Sequence, residues 1–118
     1  MIRLEKIILF CASVDKLVRF YSDHFGFTVV GEAGNDWAEL EAGEVHIAFH
    51  RIGSQYLPVS PEDFKMEESN LKLVFEIETG LEALREKLVD KNVRVGEIKR
   101  FPGSEYIYCD GNDPEGNV

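Results

Sequence analysis

Residues 6–32 and 72–98 of this chain align on one another without a gap. Lys6 falls on Lys72, Ile7 on Leu73, Ile8 on Val74, Leu9 on Phe75 and Cys11 on Ile77. Further on, Ser13 falls on Thr79, Arg19 on Arg85 and Val29 on Val95. An internal repeat means that one supersecondary unit is used twice, which restricts the architecture more than composition does. In each copy an apolar run rich in Ile, Val, Leu and Phe predicts a strand. Ser13 and Thr79 each stand between that strand and a helical pattern, so both are expected N-caps. The first helix, about 14–24, places Leu17, Phe20, Tyr21 and His24 at helical spacing; the second, about 80–90, does so with Leu81, Ala83, Leu84 and Leu88. Gly26 and Asn92 fall where a left-handed residue closes a helix. A second strand is expected in 27–32 and in 93–98.

The remainder of each half is β-like. Residues 36–42 and 45–51 read as strands joined by a tight Gly-containing turn at 42–44, and 105–110 reads as their counterpart in the second half. The expectation is an α+β fold of two tandem βαβββ modules, forming a curved, cleft-bearing mixed sheet with helices on its outer face. Module one covers 4–51, a linker 52–69 and module two 70–118, all within one domain, 1–118, with the last strand truncated. The linker carries prolines and mixed charge, with one helical turn expected at 61–66.

Size and composition agree with a single buried core: 118 residues, 44% hydrophobic and 30% charged. A formal charge of −9 argues against nucleic-acid binding, which needs a basic face. That charge serves solubility and suits a cationic ligand. No apolar run reaches the length of a membrane span and no export signal is visible, so a cytoplasmic location is expected. Cys11 and Cys109 form no framework and are expected to be reduced, buried thiols.

Given the paired units, the stretch FYSDHFGF at 20–27 and the turn DPEGNV at 113–118, the chain resembles the vicinal oxygen chelate superfamily. That group includes glyoxalase I, extradiol dioxygenases and the fosfomycin- and bleomycin-resistance proteins. The resemblance implies that metal enzymes of the group take a ligand from the first and last strand of each module. Carried over one position at a time, these places hold Lys6, Lys72 and Ala48, with the fourth after Val118. A protonated lysine has no lone pair to offer a metal. The first reading is therefore a small-molecule-binding protein without the usual metal or other cofactor, most like the bleomycin-resistance type, sequestering its ligand as a homodimer. The alternative is a metal-dependent lyase, isomerase or dioxygenase with a displaced ligand set and a divalent ion such as Zn, Ni, Fe or Mn. One or both of His46 and His50 would then contribute, with Glu39 or Glu76.

Strand alternation assigns faces. Ile7, Leu9 and Cys11, with Leu73, Phe75 and Ile77, Val45, Ile47 and Phe49, and Leu40 and Ala42, should pack inward. The ligand-binding wall is then Lys6, Phe10, Trp37, Glu39, His46, His50, Lys72, Glu76 and Tyr108. Aromatic rings beside a few polar groups suit a small-molecule pocket. Lys72 also has a structural reading, as a partner of Glu76 or Glu39. His46 and His50 are four residues apart, which is metal spacing on a helix. On a strand it separates their Cα atoms by roughly 13 Å.

Overall fold

The computed structural model describes residues 1–118, and its contacts divide the chain into two compact units, Met1–Lys65 and Met66–Val118. The fold is α+β.

The first unit follows the expected order: β1 (Lys6–Cys11), α1 (Val14–Phe25), β2 (Thr28–Val30), β3 (Trp37–Ala42) and β4 (Val45–Arg51). Its sheet has the order β1-β4-β3-β2, with β1 parallel to β4 and the other pairs antiparallel. Two residues, Gly43 and Glu44, join β3 to β4. Gly43 has φ 85°, which suits the first central position of a tight hairpin turn. Ser13 caps α1 through its side chain, which accepts from Lys16 N–H, and Gly26 closes it at φ 72°. The left-handed conformation costs an L-residue but not glycine.

One sheet face carries Leu9, Cys11, Ala38, Leu40, Ile47 and Phe49, all buried, and α1 covers it with Val14, Leu17 and Tyr21. Tyr21 stacks on Phe49 with ring centroids 5.6 Å apart and on Phe27 at 6.4 Å. Each fully buried side chain of this size contributes about 1.5–3 kcal/mol by transfer from water. Leu9, Cys11, Leu40, Ile47 and Phe49 are thus buried as assigned, whereas Ile7, Ala42 and Val45 are half-buried, and Ala48 of the opposite face is buried too.

The second unit departs from its template. Its helix α2 (Leu81–Asp90) forms as expected, and Asn92 is left-handed at φ 61° just after it. Thr79 is not the N-cap: Gly80, at φ 86°, takes that place and no side chain caps the helix. The expected strand at 72–77 does not form and pairs with no strand; Leu73 N–H donates to the Val118 carbonyl. In the first unit β1 is held by β4, whereas no strand pairs with 72–77. Phe75 and Ile77, expected to pack inward, are accordingly exposed, although Val74 is more so. Residues 93–98 contribute only a bridge from Val95 to Gly111; after them comes β5 (Lys99–Arg100), and 105–110 shrinks to β6 (Ile107–Tyr108), which pairs with it.

The expected helical turn at 61–66 is absent. A short 3₁₀ turn at Ser54–Tyr56 and a turn in which Asp63 N–H donates to the Ser60 carbonyl replace it. Prolines at 58 and 61, with Ser60 just before the second, favour turns over a helix.

The DPEGNV stretch is a closed turn. Asp113 Oδ1 accepts from Glu115 and Asn117 N–H at 2.9 and 3.0 Å, and Oδ2 from the Asn117 side chain at 2.8 Å. Gly116 is left-handed, and its backbone passes so close to Met66 that a Cβ there would meet the Met66 carbonyl at 3.0 Å.

Candidate functional site

The face of the first sheet that α1 does not cover is organised in three rows by strand register. Phe10, His50 and Trp37 form one row; Ile8, Ala48 and Glu39 the next; Lys6, His46 and Glu41 the third. Val30 flanks Glu39 from β2. Large apolar groups stand open on this face, with Ile8 44% and Phe10 57% exposed. Exposed apolar surface rimmed by polar groups marks a binding surface in a folded domain.

Two rows are tied by a polar cluster. Lys6 reaches across the rows and donates from Nζ to Glu39 Oε1 at 2.8 Å. His46 Nδ1 lies 2.6 Å from Glu39 Oε2. Because a carboxylate only accepts, Nδ1 is the protonated nitrogen, and Nε2 is turned away from this bond. The Lys6 hydrogen bond, then that of His46, holds the Glu39 carboxyl below its ordinary value, against a smaller opposing effect of burial. The same Lys6–Glu39 hydrogen bond raises the Lys6 ammonium above its own. The pair is only partly shielded, with 30% of the Lys6 side chain and 16% of that of Glu39 exposed.

The aromatic row adjoins this cluster. His50 lies between Phe10 and Trp37, with ring centroids at 5.3 and 6.0 Å. Lys6 Nζ stands 5.9 Å from the Trp37 ring centroid, within cation–π range. Six residues of the expected wall, Lys6, Phe10, Trp37, Glu39, His46 and His50, are therefore gathered on one face. Their alternation was readable from sequence; the lysine–carboxylate–imidazole bridge was not, because register across β1, β4 and β3 decides it.

The other three expected wall residues belong to the second unit. Lys72 pairs with Asp110 at 3.3 Å, not with Glu76 or Glu39. Tyr108 lies near Ser104 Oγ at 3.4 Å and packs edge-on against Phe101. Glu76 is exposed. Lys99 also binds Asp110, at 3.2 Å, and the Lys99 and Lys72 hydrogen bonds lower the Asp110 carboxyl. A shallow cleft of about 410 Å³ lies here, with Lys72, Arg94, Asp110, Asn112 and Val118 among its walls. Arg94, Asp110 and Asn112 escaped the sequence reading, which had no repeat partner with a chemical role to flag them.

The metal positions implied by the resemblance can be tested on these donors. Of the lone-pair donors on this face, Glu39 and His46 are bonded to each other, His50 stands in the aromatic row and Glu41 lies opposite His46. Lys6 already supplies a positive charge to the Glu39 carboxylate, and Ala48 between His46 and His50 has no donor. No group of three or more His, Cys, Asp or Glu side chains is placed to hold an ion. His46 and His50 sit in different rows, each with its own partners.

No helix is long and apolar enough to cross a membrane. No curated protein matches the chain in sequence. Among solved structures, the fold resembles the protein SMU.1112c, with 21% identity over 99% of this chain and 95% of that one and a TM-score of 0.75. It also resembles a possible glyoxalase from Bacillus cereus, at 17% identity, 99% and 95% coverage and a TM-score of 0.71. A lactoylglutathione lyase from Agrobacterium tumefaciens is similar at 14% identity, 98% and 88% coverage and a TM-score of 0.70. Likeness at these identities establishes the fold and not the activity. The family model described as the glyoxalase/bleomycin resistance protein/dioxygenase superfamily matches residues 3–118, and the chain belongs to that superfamily.

Proposed function

We propose that this chain is a small-molecule-binding member of its superfamily that works without a divalent metal and holds its ligand on the open face of the first sheet. The observation that carries the reading is the aromatic row Phe10–His50–Trp37 set against the Lys6–Glu39–His46 bridge. Aromatic and apolar side chains beside a few fixed polar groups are the lining of a specific small-molecule site. An internal ammonium at Glu39 supplies the charge balance that a metal would otherwise give. The reading includes a cytoplasmic homodimer, checked by size-exclusion chromatography with light scattering.

The test has two parts. Protein dialysed against metal-free buffer should hold far less than one zinc, nickel, iron or manganese per chain by elemental analysis. A screen of small aromatic compounds by thermal shift should find a stabiliser that His50→Ala and Trp37→Ala abolish. A ligand at a hundred times its Kd stabilises by about 2.7 kcal/mol. Stoichiometric metal surviving dialysis, or stabilisers indifferent to both substitutions, would overturn the reading.

The Glu39–His46 pair favours one alternative, a metal-dependent lyase, isomerase or dioxygenase, as the name of the Agrobacterium neighbour suggests. Under that reading His46→Ala loses both bound metal and activity.

A further inference from the structure

The charge carried by the ligand follows from how the polar groups of this face are already committed. Both oxygens of Glu39 are engaged, Oε1 by Lys6 and Oε2 by His46. Glu39 is also the least exposed of the three, at 16% against 30% for Lys6 and 28% for His46. An ammonium has three donors, and Lys6 commits one to Glu39. Its Nζ lies 5.9 Å from the Trp37 ring centroid, so it is the polar group next to the aromatic row. A flat ring lying on Phe10, His50 and Trp37 has its substituent one row along, about 6.6 Å away at two strand residues. That is the row of Ile8, Ala48 and Glu39, into which Lys6 reaches. Ala48 and Ile8 offer no polar group there.

We propose that the ligand is a planar aromatic compound bearing an anionic oxygen group, such as a carboxylate, with its ring on Phe10, His50 and Trp37 and its oxygen on the Lys6 ammonium. This rests on the binding reading above and adds the sign of the charge. It runs against the chain's overall charge of −9, which favours cations at long range. Screening confines that field to about 8 Å at physiological salt, whereas the Lys6 contact is direct. Glu41, the other carboxylate of this face, is opposite His46 in the far row and exposed.

Trp37 is the chain's only tryptophan, so its emission reports this face alone. Three probes of one shape separate the possibilities: 2-naphthoate, 2-naphthylmethanol and 2-naphthylmethylammonium, each titrated at pH 7.5 and 0.15 M salt with calorimetry alongside. The expected result is saturable quenching by 2-naphthoate, with an affinity about tenfold or more above that of the neutral probe, as one charge-assisted hydrogen bond gives. Lys6→Gln should erase that difference, and Lys6→Arg should keep it. Equal binding of all three, or preference for the ammonium, leaves the binding face standing and overturns the anionic ligand. Discrimination that persists in Lys6→Gln also overturns it. Quenching by none of the probes overturns both readings. So does quenching that follows protein concentration alone, which assigns the face to a second copy of the chain. Should Lys6→Gln fail to fold, the ranking of the probes on the native chain still decides.

Discussion

Glu39 answers to two partners at once, and its protonation should therefore be visible in stability. Its folded-state carboxyl lies below the ordinary 4.5, so its contribution is present above that value and is lost as pH falls through the lower folded one. Lys6 is raised above 10.5, so its contribution is full below that and disappears as pH rises through the higher folded value. The stability gap between the native chain and Glu39→Gln, measured by urea unfolding, should be flat through neutral pH and narrow below about 4.5. Asp113 makes a second residue-scale case. Its carboxylate receives three donors in a buried turn, and Asp113→Asn turns one acceptor into a donor facing donors. A buried group left without its partner costs about 1–3 kcal/mol, and that loss should appear as a lower urea midpoint.

Among the elements, α1 is fully specified by its ends and α2 is not. Ser13 and Gly26 close α1, whereas α2 begins from left-handed Gly80 without a side-chain cap. Gly26→Ala should cost about 1–2 kcal/mol, the strain of the left-handed region, with helix content by circular dichroism otherwise intact. The β1–α1–β2–β3–β4 order, the α1 caps and the two faces of β1, β3 and β4 were legible in the sequence, because alternation, periodicity and Gly placement are local signals. What pairs with what was not. Residues 72–77 have the composition of β1 but no strand beside them, and a strand exists only through its neighbour's hydrogen bonds. Likewise Thr79 has a capping side chain at the right offset from the repeat, yet the positive φ of Gly80 moves the helix start past it. The candidate site divides in the same way: six side chains were placed on one face by alternation, while the Lys6–Glu39–His46 bridge and the Lys72–Asp110 pair depend on register and tertiary approach.

At the scale of the whole molecule, the buried apolar side chains other than Leu88 all belong to Met1–Lys65. Phe49→Ala, at the middle of that core, should cost about 3–5 kcal/mol in equilibrium unfolding. Amide exchange should be slowest in β1, β3 and β4 and fast across 71–77, since protection follows burial and regular hydrogen bonding. The register of this sheet also sets an order of events. The β3–β4 hairpin closes over the two residues Gly43 and Glu44, whereas β1 meets β4 with Lys6 opposite His46, across the whole of α1 and β2. Closure entropy grows with the length of chain between the contacts, and a hairpin forms in about 1–10 μs. The hairpin is thus the natural nucleus, and β1, although synthesised before its parallel partner, is a late arrival. In stopped-flow experiments Gly43→Ala should slow refolding, while Ile7→Val should chiefly hasten unfolding. The sheet assembles from its middle outward, and a nascent chain carries β1 unpaired until 45–51 has left the ribosome.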